Sequence, residues 1–121
     1  MNTYTIALAT RLKRKVFRAK NIPPDVLRIA DAYLARNGVK LLQHRFYDYG
    51  FVLNVECASA EQAINIATGI RMETSRPIRE LYPELWKMPS LWNNQPLVLE
   101  GSMTKENNNK IEKYYDGLKS R

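Results

Sequence analysis

The chain has 121 residues, about one domain by size, and 45% of them are hydrophobic, enough to bury a core. No apolar run is long enough to span a bilayer, and the first residues lack the charged, then apolar, then small order of a secretory signal. Membrane-spanning and secreted classes are therefore set aside and a cytoplasmic location is expected. Nineteen Lys and Arg against twelve Asp and Glu leave a net charge of +7, a balance that suits a polyanionic partner.

Residues 4–10 (Tyr-Thr-Ile-Ala-Leu-Ala-Thr) alternate enough to form a first strand. The next ten residues carry Arg11, Lys13, Arg14, Lys15, Arg18 and Lys20, with Val16 and Phe17 as apolar anchors. No acid occurs in the first twenty residues, so six of the seven excess charges lie there. A concentrated basic patch on an otherwise balanced domain attracts nucleic acid, whereas a merely solvated loop is the plainer reading. A membrane surface fits less well, because no amphipathic helix with large apolar residues carries the charges.

Pro23-Pro24 pre-set a helix start, with Asp25 in the first turn where the dipole favours an acid. Val26, Leu27, Ile29, Ala30, Tyr33 and Leu34 make its apolar face, and Asn37-Gly38 stops it. Residues 40–56 then read as a β-hairpin, two strand-forming runs around Asp48-Tyr49-Gly50, where glycine is expected to take positive φ. Cys57, the sole cysteine, ends the second run and is expected to be a small buried thiol. Ser59-Ala60-Glu61-Gln62 has the form of a capping box ahead of a second helix bearing Ala63, Ile64, Ala67 and Ile70. That helix is expected to end near Ser75, because Pro77 follows.

Residues 80–96 are loop-like and aromatic, with Tyr82, Trp86 and Trp92 among prolines and asparagines. The tryptophans either anchor this segment to the core or stack on bases. Leu97-Val98-Leu99 is a short strand ended by Gly101. Thr104 caps a last helix whose stripe is Ile111, Tyr114, Tyr115 and Leu118. Strand, helix, hairpin, helix, strand and helix together give an α+β fold: an antiparallel ferredoxin-like sheet (split βαβ) with helices on one face, plus a C-terminal helix, in a single domain spanning 1–121.

Several stretches carry a resemblance: Lys15-Val16-Phe17 after the first strand, Ile70-Arg71 through Ser75-Arg76-Pro77-Ile78 at the helix end, Tyr82-Pro83-Glu84-Leu85, Leu91-Trp92, residues 98–102, and Ile111-Glu112-Lys113-Tyr114-Tyr115. In this order they resemble the small single-tyrosine transposases of the HUH superfamily, among them insertion-sequence and REP-associated tyrosine transposases. The resemblance implies DNA transposition and recombination chemistry. Single-stranded DNA beside imperfect hairpins is cut and rejoined through a tyrosine that attacks a phosphate, here at the Tyr114 position. It further implies a divalent metal such as magnesium, held by two histidines and a glutamine, and a homodimer that can exchange the tyrosine helix.

Those ligands are missing. Tyr49 and Phe51 stand at the histidine positions, Leu118 at the glutamine position, and His44 is the single histidine of the chain. Metal stabilisation of several kcal/mol is worth about three orders of magnitude in rate. No cofactor is therefore expected, and binding of hairpin-forming single-stranded DNA, or RNA, without metal-dependent cleavage is the leading expectation. Arg11, Lys13, Arg14, Lys15 and Arg18 would contact phosphates, with Arg71, Arg76 and Arg79 as a second group. An active transposase using Tyr114 and a decayed domain serving as a protein-interaction module remain the alternatives. Tyr49 and Phe51, two apart, would face the same side, either stacking bases or filling the vacated site. His44 with Asp48 or Glu56 is the only makeshift ligand set on offer.

Overall fold

The computed structural model describes residues 2–119. Strand β1 (Asn2–Ala9) is followed by two single-turn 3-10 segments (Arg11–Lys13 and Val16–Arg18), helix α1 (Ile22–Arg36), strands β2 (Lys40–Tyr47) and β3 (Gly50–Cys57), helix α2 (Ala60–Leu81), strand β4 (Leu97–Glu100) and helix α3 (Lys105–Asp116). The sheet runs β2-β3-β1-β4 with every pairing antiparallel, the ferredoxin-like order.

Helices α1 and α2 cover one face of the sheet, where Tyr4, Ile6 and Leu8 of β1 and Phe51, Leu53 and Val55 of β3 meet Val26, Ala30, Leu34, Ala67 and Ile70. The C-terminal α3 lies on the other face. There Ala7, Ala9 and Val52 meet Ile111 and Tyr115 in a second, smaller core. Both central strands are thus buried on both sides, so hydrophobic alternation along β1 and β3 is muted.

Two sequence expectations about these elements need correction. First, α2 does not stop near Ser75 but runs through Pro77 to Leu81. An internal proline costs about 3 kcal/mol. The buried Ile78 beyond it and the Arg79 Nε–H donated to the Ser75 carbonyl (3.2 Å) hold the last turn in place. Second, Gly50 is the first residue of β3, paired with Ala9 and Tyr47. Positive φ occurs at Gly38 and Gly101, the helix stop and strand end, not at Gly50. A Cβ at Gly50 would lie 2.5 Å from the Tyr115 hydroxyl, so glycine stands there to admit that ring.

The caps follow the sequence closely. Ser59 Oγ accepts from the Gln62 N–H (3.1 Å), and Gln62 Oε1 in turn accepts from the Ala58 N–H (2.7 Å). Thr104 Oγ1 accepts from Asn107 N–H (3.2 Å), while the Asn107 side chain donates to the carbonyls of Glu100 (3.1 Å) and Ser102 (2.7 Å), which fixes α3 to the end of β4. Cys57 is buried and apolar surroundings push its thiol pKa up, as expected of a packing thiol.

Candidate nucleic-acid interface

The basic segment leaves β1 at Thr10 and is tied to the sheet at both ends. Thr10 N–H donates to the Tyr49 carbonyl (2.9 Å) and its hydroxyl to the Arg14 carbonyl (2.6 Å). Phe17 N–H donates to the Asp48 carbonyl (2.9 Å), and the buried Phe17 ring meets Phe46 edge-on at 5.1 Å and Trp92 at 5.6 Å. Between these anchors the chain loops outward with Leu12 and Lys13 both in the left-handed region (φ 55° and 53°). Non-glycine residues pay about 1 kcal/mol or more each for that geometry, which persists because the surrounding hydrogen bonds determine it.

Arg11, Arg14 and Lys15 are exposed on this rim, and Lys13 Nζ sits 5.0 Å above the Tyr49 ring. None of the four has an acidic partner among the described residues. Arg18 differs from them, because its Nε lies 3.0 Å from Asp48 Oδ2 in an exposed pair at the hairpin turn.

The second predicted group divides. Arg71 donates to the Asn93 carbonyl (3.2 Å) and Arg79 to those of Ser75 (3.2 Å) and Met88 (2.9 Å), with its guanidinium 5.7 Å over Trp86. Both clamp residues 82–96 to α2, a structural duty invisible in charge patterning. Arg76 points outward and pairs with Glu80 at 2.8 Å. The tryptophans divide as well: Trp92 is buried and donates its indole N–H to Thr74 Oγ1 (2.7 Å), while Trp86 is 58% exposed.

Tyr49 and Phe51 do not face the same side. Tyr49 lies in the two-residue turn between β2 and β3, where strand alternation does not hold, and its ring turns towards α3, 5.2 Å from Tyr115. Phe51 is fully buried on the α1/α2 side, stacked on Phe46 at 4.3 Å. The residues of β3 that face α3 are the even ones, beginning with Gly50 and Val52. Leu118 packs against the edge of this cluster.

Tyr115, not Tyr114, is the deeply held tyrosine of α3. Its hydroxyl donates to the Leu8 carbonyl (2.9 Å) and burial pushes its pKa far up. Tyr114 is half-buried, donates to the Gln95 carbonyl, and has its pKa pushed up to about 12 by burial, partly opposed by the nearby Arg71 charge. A phenol so held is neutral near pH 7.

A divalent metal beside these tyrosines would need oxygen or imidazole donors. What the strands offer next to Tyr115 is Gly50, Val52, Ala7 and Ala9, none of which has a side chain that can ligate a metal. The donor set does not fit a metal. His44 is no substitute. Its ring meets Phe46 and Phe51 edge-on on the α1/α2 side, whereas Glu56 alternates to the other face and Asp48 is taken by Arg18. Among the described residues no three His, Cys, Asp or Glu side chains gather.

Sequence reasoning did not single out Thr10 or Asn54, and read Gly50 only as a turn residue. Asn54 is buried at the middle of β3 and its amide spans the Tyr4 carbonyl (3.1 Å) and Thr5 Oγ1 (3.2 Å). The available signal was the run of small or polar residues at alternate strand positions, Thr5, Ala7, Ala9, Gly50 and Asn54, which marks close approach of another element.

No family model and no curated protein matches the sequence. Solved structures do match. A candidate transposase from Deinococcus radiodurans superposes with a TM-score of 0.82 over 98% of this chain and 92% of its own, at 16% identity. A REP-associated tyrosine transposase bound to a REP hairpin gives 0.53 over 96% of this chain and 68% of its own, at 10% identity. A de novo designed ferredoxin-fold protein gives 0.50 over 87% and 90%, at 9% identity. Identities this low speak to architecture alone: this chain shares with these structures a ferredoxin-like antiparallel sheet.

Proposed function

We propose that this chain is a transposase-related protein that binds hairpin-forming single-stranded DNA through its basic rim, without metal-dependent cleavage. The observation that carries the reading is the set of four cations, Arg11, Lys13, Arg14 and Lys15, free of acidic partners among the described residues and held out from the sheet by anchors at Thr10 and Phe17. Phosphate oxygens are the natural counter-charge for such a rim. Support also comes from the shared fold, one of whose examples is a transposase in complex with a REP hairpin. RNA hairpins present the same phosphate chemistry and are the comparison ligand.

Two features speak against strand transfer: Gly50, Val52, Ala7 and Ala9 beside α3 carry no metal-ligating side chain, and the Tyr114 hydroxyl is kept protonated and donates to the Gln95 carbonyl. A nucleophilic phenol needs a base or a metal to lose its proton. A homodimer is part of the same proposal, read by sedimentation.

The test is a gel-shift salt series comparing a hairpin oligonucleotide with an unstructured one, run with magnesium and with EDTA. The expected result is preferential hairpin binding that falls steeply with salt and is indifferent to the chelator. Equal, negligible binding of both oligonucleotides would end the reading. A covalent protein–DNA species that disappears in Tyr114→Phe would instead establish the strand-transfer enzyme.

A further inference from the structure

Trp86 is exposed but not loose. It closes a 3-10 turn (Pro83–Leu85) in which its N–H donates to the Pro83 carbonyl (3.0 Å), and the buried Leu85 and Met88 on either side root that turn in the core. The Arg79 guanidinium lies 5.7 Å over the Trp86 ring and is itself fixed by the carbonyls of Ser75 and Met88. The indole is thus backed by an immobilised cation, yet the residue is 58% exposed. Beside it is a hollow of about 420 Å³ bounded by Arg79, Glu80 and Pro83.

Two hydrogen bonds join this corner to the basic rim. The Arg11 N–H donates to the Leu91 carbonyl (3.0 Å), and the Tyr82 hydroxyl donates to the Asn21 carbonyl (2.9 Å). Residues 82–91 are therefore tied to both ends of the segment that carries the rim cations, with Trp86 midway in sequence between the ties. Lys87 beside it has no acidic partner among the described residues, and the Glu80 carboxylate at the hollow is already paired with Arg76 at 2.8 Å. Helix α2 runs about 15 Å from Arg71, the residue near Tyr114, to its end at Leu81, so the corner is separate from the tyrosine of α3. A rigid indole with a guanidinium on one side and open ring surface next to cations suits the flat face of a nucleobase. A base-paired stem hides its base faces, so only an unpaired base can lie on such a ring, and in a blunt hairpin the unpaired bases are those of the loop.

We infer that Trp86 stacks on a loop base of the hairpin bound at the basic rim. The inference rests on the nucleic-acid reading above and adds to it a contact that is not electrostatic. The rim contributes affinity that salt screens, whereas the indole contributes a loop preference that salt leaves in place.

The test uses the full chain and two blunt DNA hairpins with the same stem, one closed by a thymine loop and one by a hexaethylene glycol linker that carries no bases. Wild type should bind the thymine-loop hairpin about five-fold or more tighter, the scale of one base stacked on an aromatic side chain, and by the same ratio at each salt concentration. Its tryptophan emission should be quenched by that hairpin and not by the linker hairpin. Trp86→Ala should lose the preference while keeping wild-type affinity for the linker hairpin and, because the residue is exposed, an unchanged melting temperature. Trp86→Phe should keep part of the preference but lose the quenching, since the remaining Trp92 is buried. Equal binding of both hairpins by wild type, or a preference that survives Trp86→Ala, overturns the stacking and leaves the basic rim standing. Quenching by a poly-glutamate peptide and by neither hairpin also overturns it and assigns the corner to an acidic protein. Failure to bind either hairpin removes both readings together.

Discussion

The two faces of the sheet are built from different materials. On the α1/α2 side the strands present Ile6, Leu8, Phe51, Leu53 and Val55, and a continuous aliphatic and aromatic core closes over them. On the α3 side the same strands present Ala7, Ala9, Gly50 and Val52, and the bulk comes from the tyrosines Tyr47, Tyr49, Tyr114 and Tyr115. The first face gains stability by burying large side chains. The second lets a helix come close and brings phenol hydroxyls onto backbone carbonyls, Tyr115 on Leu8 and Tyr114 on Gln95. One sheet thus has a stabilising face and a face where side-chain identity is set by fit and hydrogen bonding.

The largest expected effect that separates the faces is Phe51→Ala, which empties a stacked position on the α1/α2 side and should cost about 3–5 kcal/mol in urea unfolding. Gly50→Ala should cost about 1–3 kcal/mol by overpacking against Tyr115, where the Phe51 change opens a cavity. If Gly50→Ala is neutral, the close approach of α3 is wrong. Tyr115→Phe should cost about 1 kcal/mol, because only the hydrogen bond to Leu8 is lost while the ring remains.

Alkaline pH should sharpen the contrast further. The Tyr114 phenol has its folded pKa raised from the ordinary 10.0 to about 12, so the folded state holds that proton more tightly than the unfolded chain. Its contribution is fully present below pH 10 and is lost as pH rises through 12. Melting temperature should therefore fall across that window, and Tyr114→Phe should flatten the fall. A profile identical in both proteins would show that Tyr114 is not buried as described.

The stabilising face was largely legible in the sequence. Helix α1 has its prolines, first-turn acid and glycine stop in the expected places, and the strand order follows from the order of elements. The α3 face was harder to read because strands buried on both sides lose their alternation, and because Tyr49 sits in a turn where parity fails. The end of α2 was misread since local proline chemistry was outweighed by burial of Ile78. Charge alone could not separate Arg71 and Arg79, which bind carbonyls of the irregular segment, from the rim cations that do not. The missing metal donors, in contrast, needed no structure, since a chain with one histidine cannot supply two.

The central claim is that the rim of four cations binds the hairpin phosphates. Its most direct test is the slope of log K against log salt for wild type and for a variant with Arg11, Lys13, Arg14 and Lys15 all replaced by Ala. Each phosphate contact contributes roughly −0.7 to −0.9 to that slope, so the variant should bind more weakly and show a slope shallower by about 3. An unchanged slope, with the variant still folded, would contradict the account.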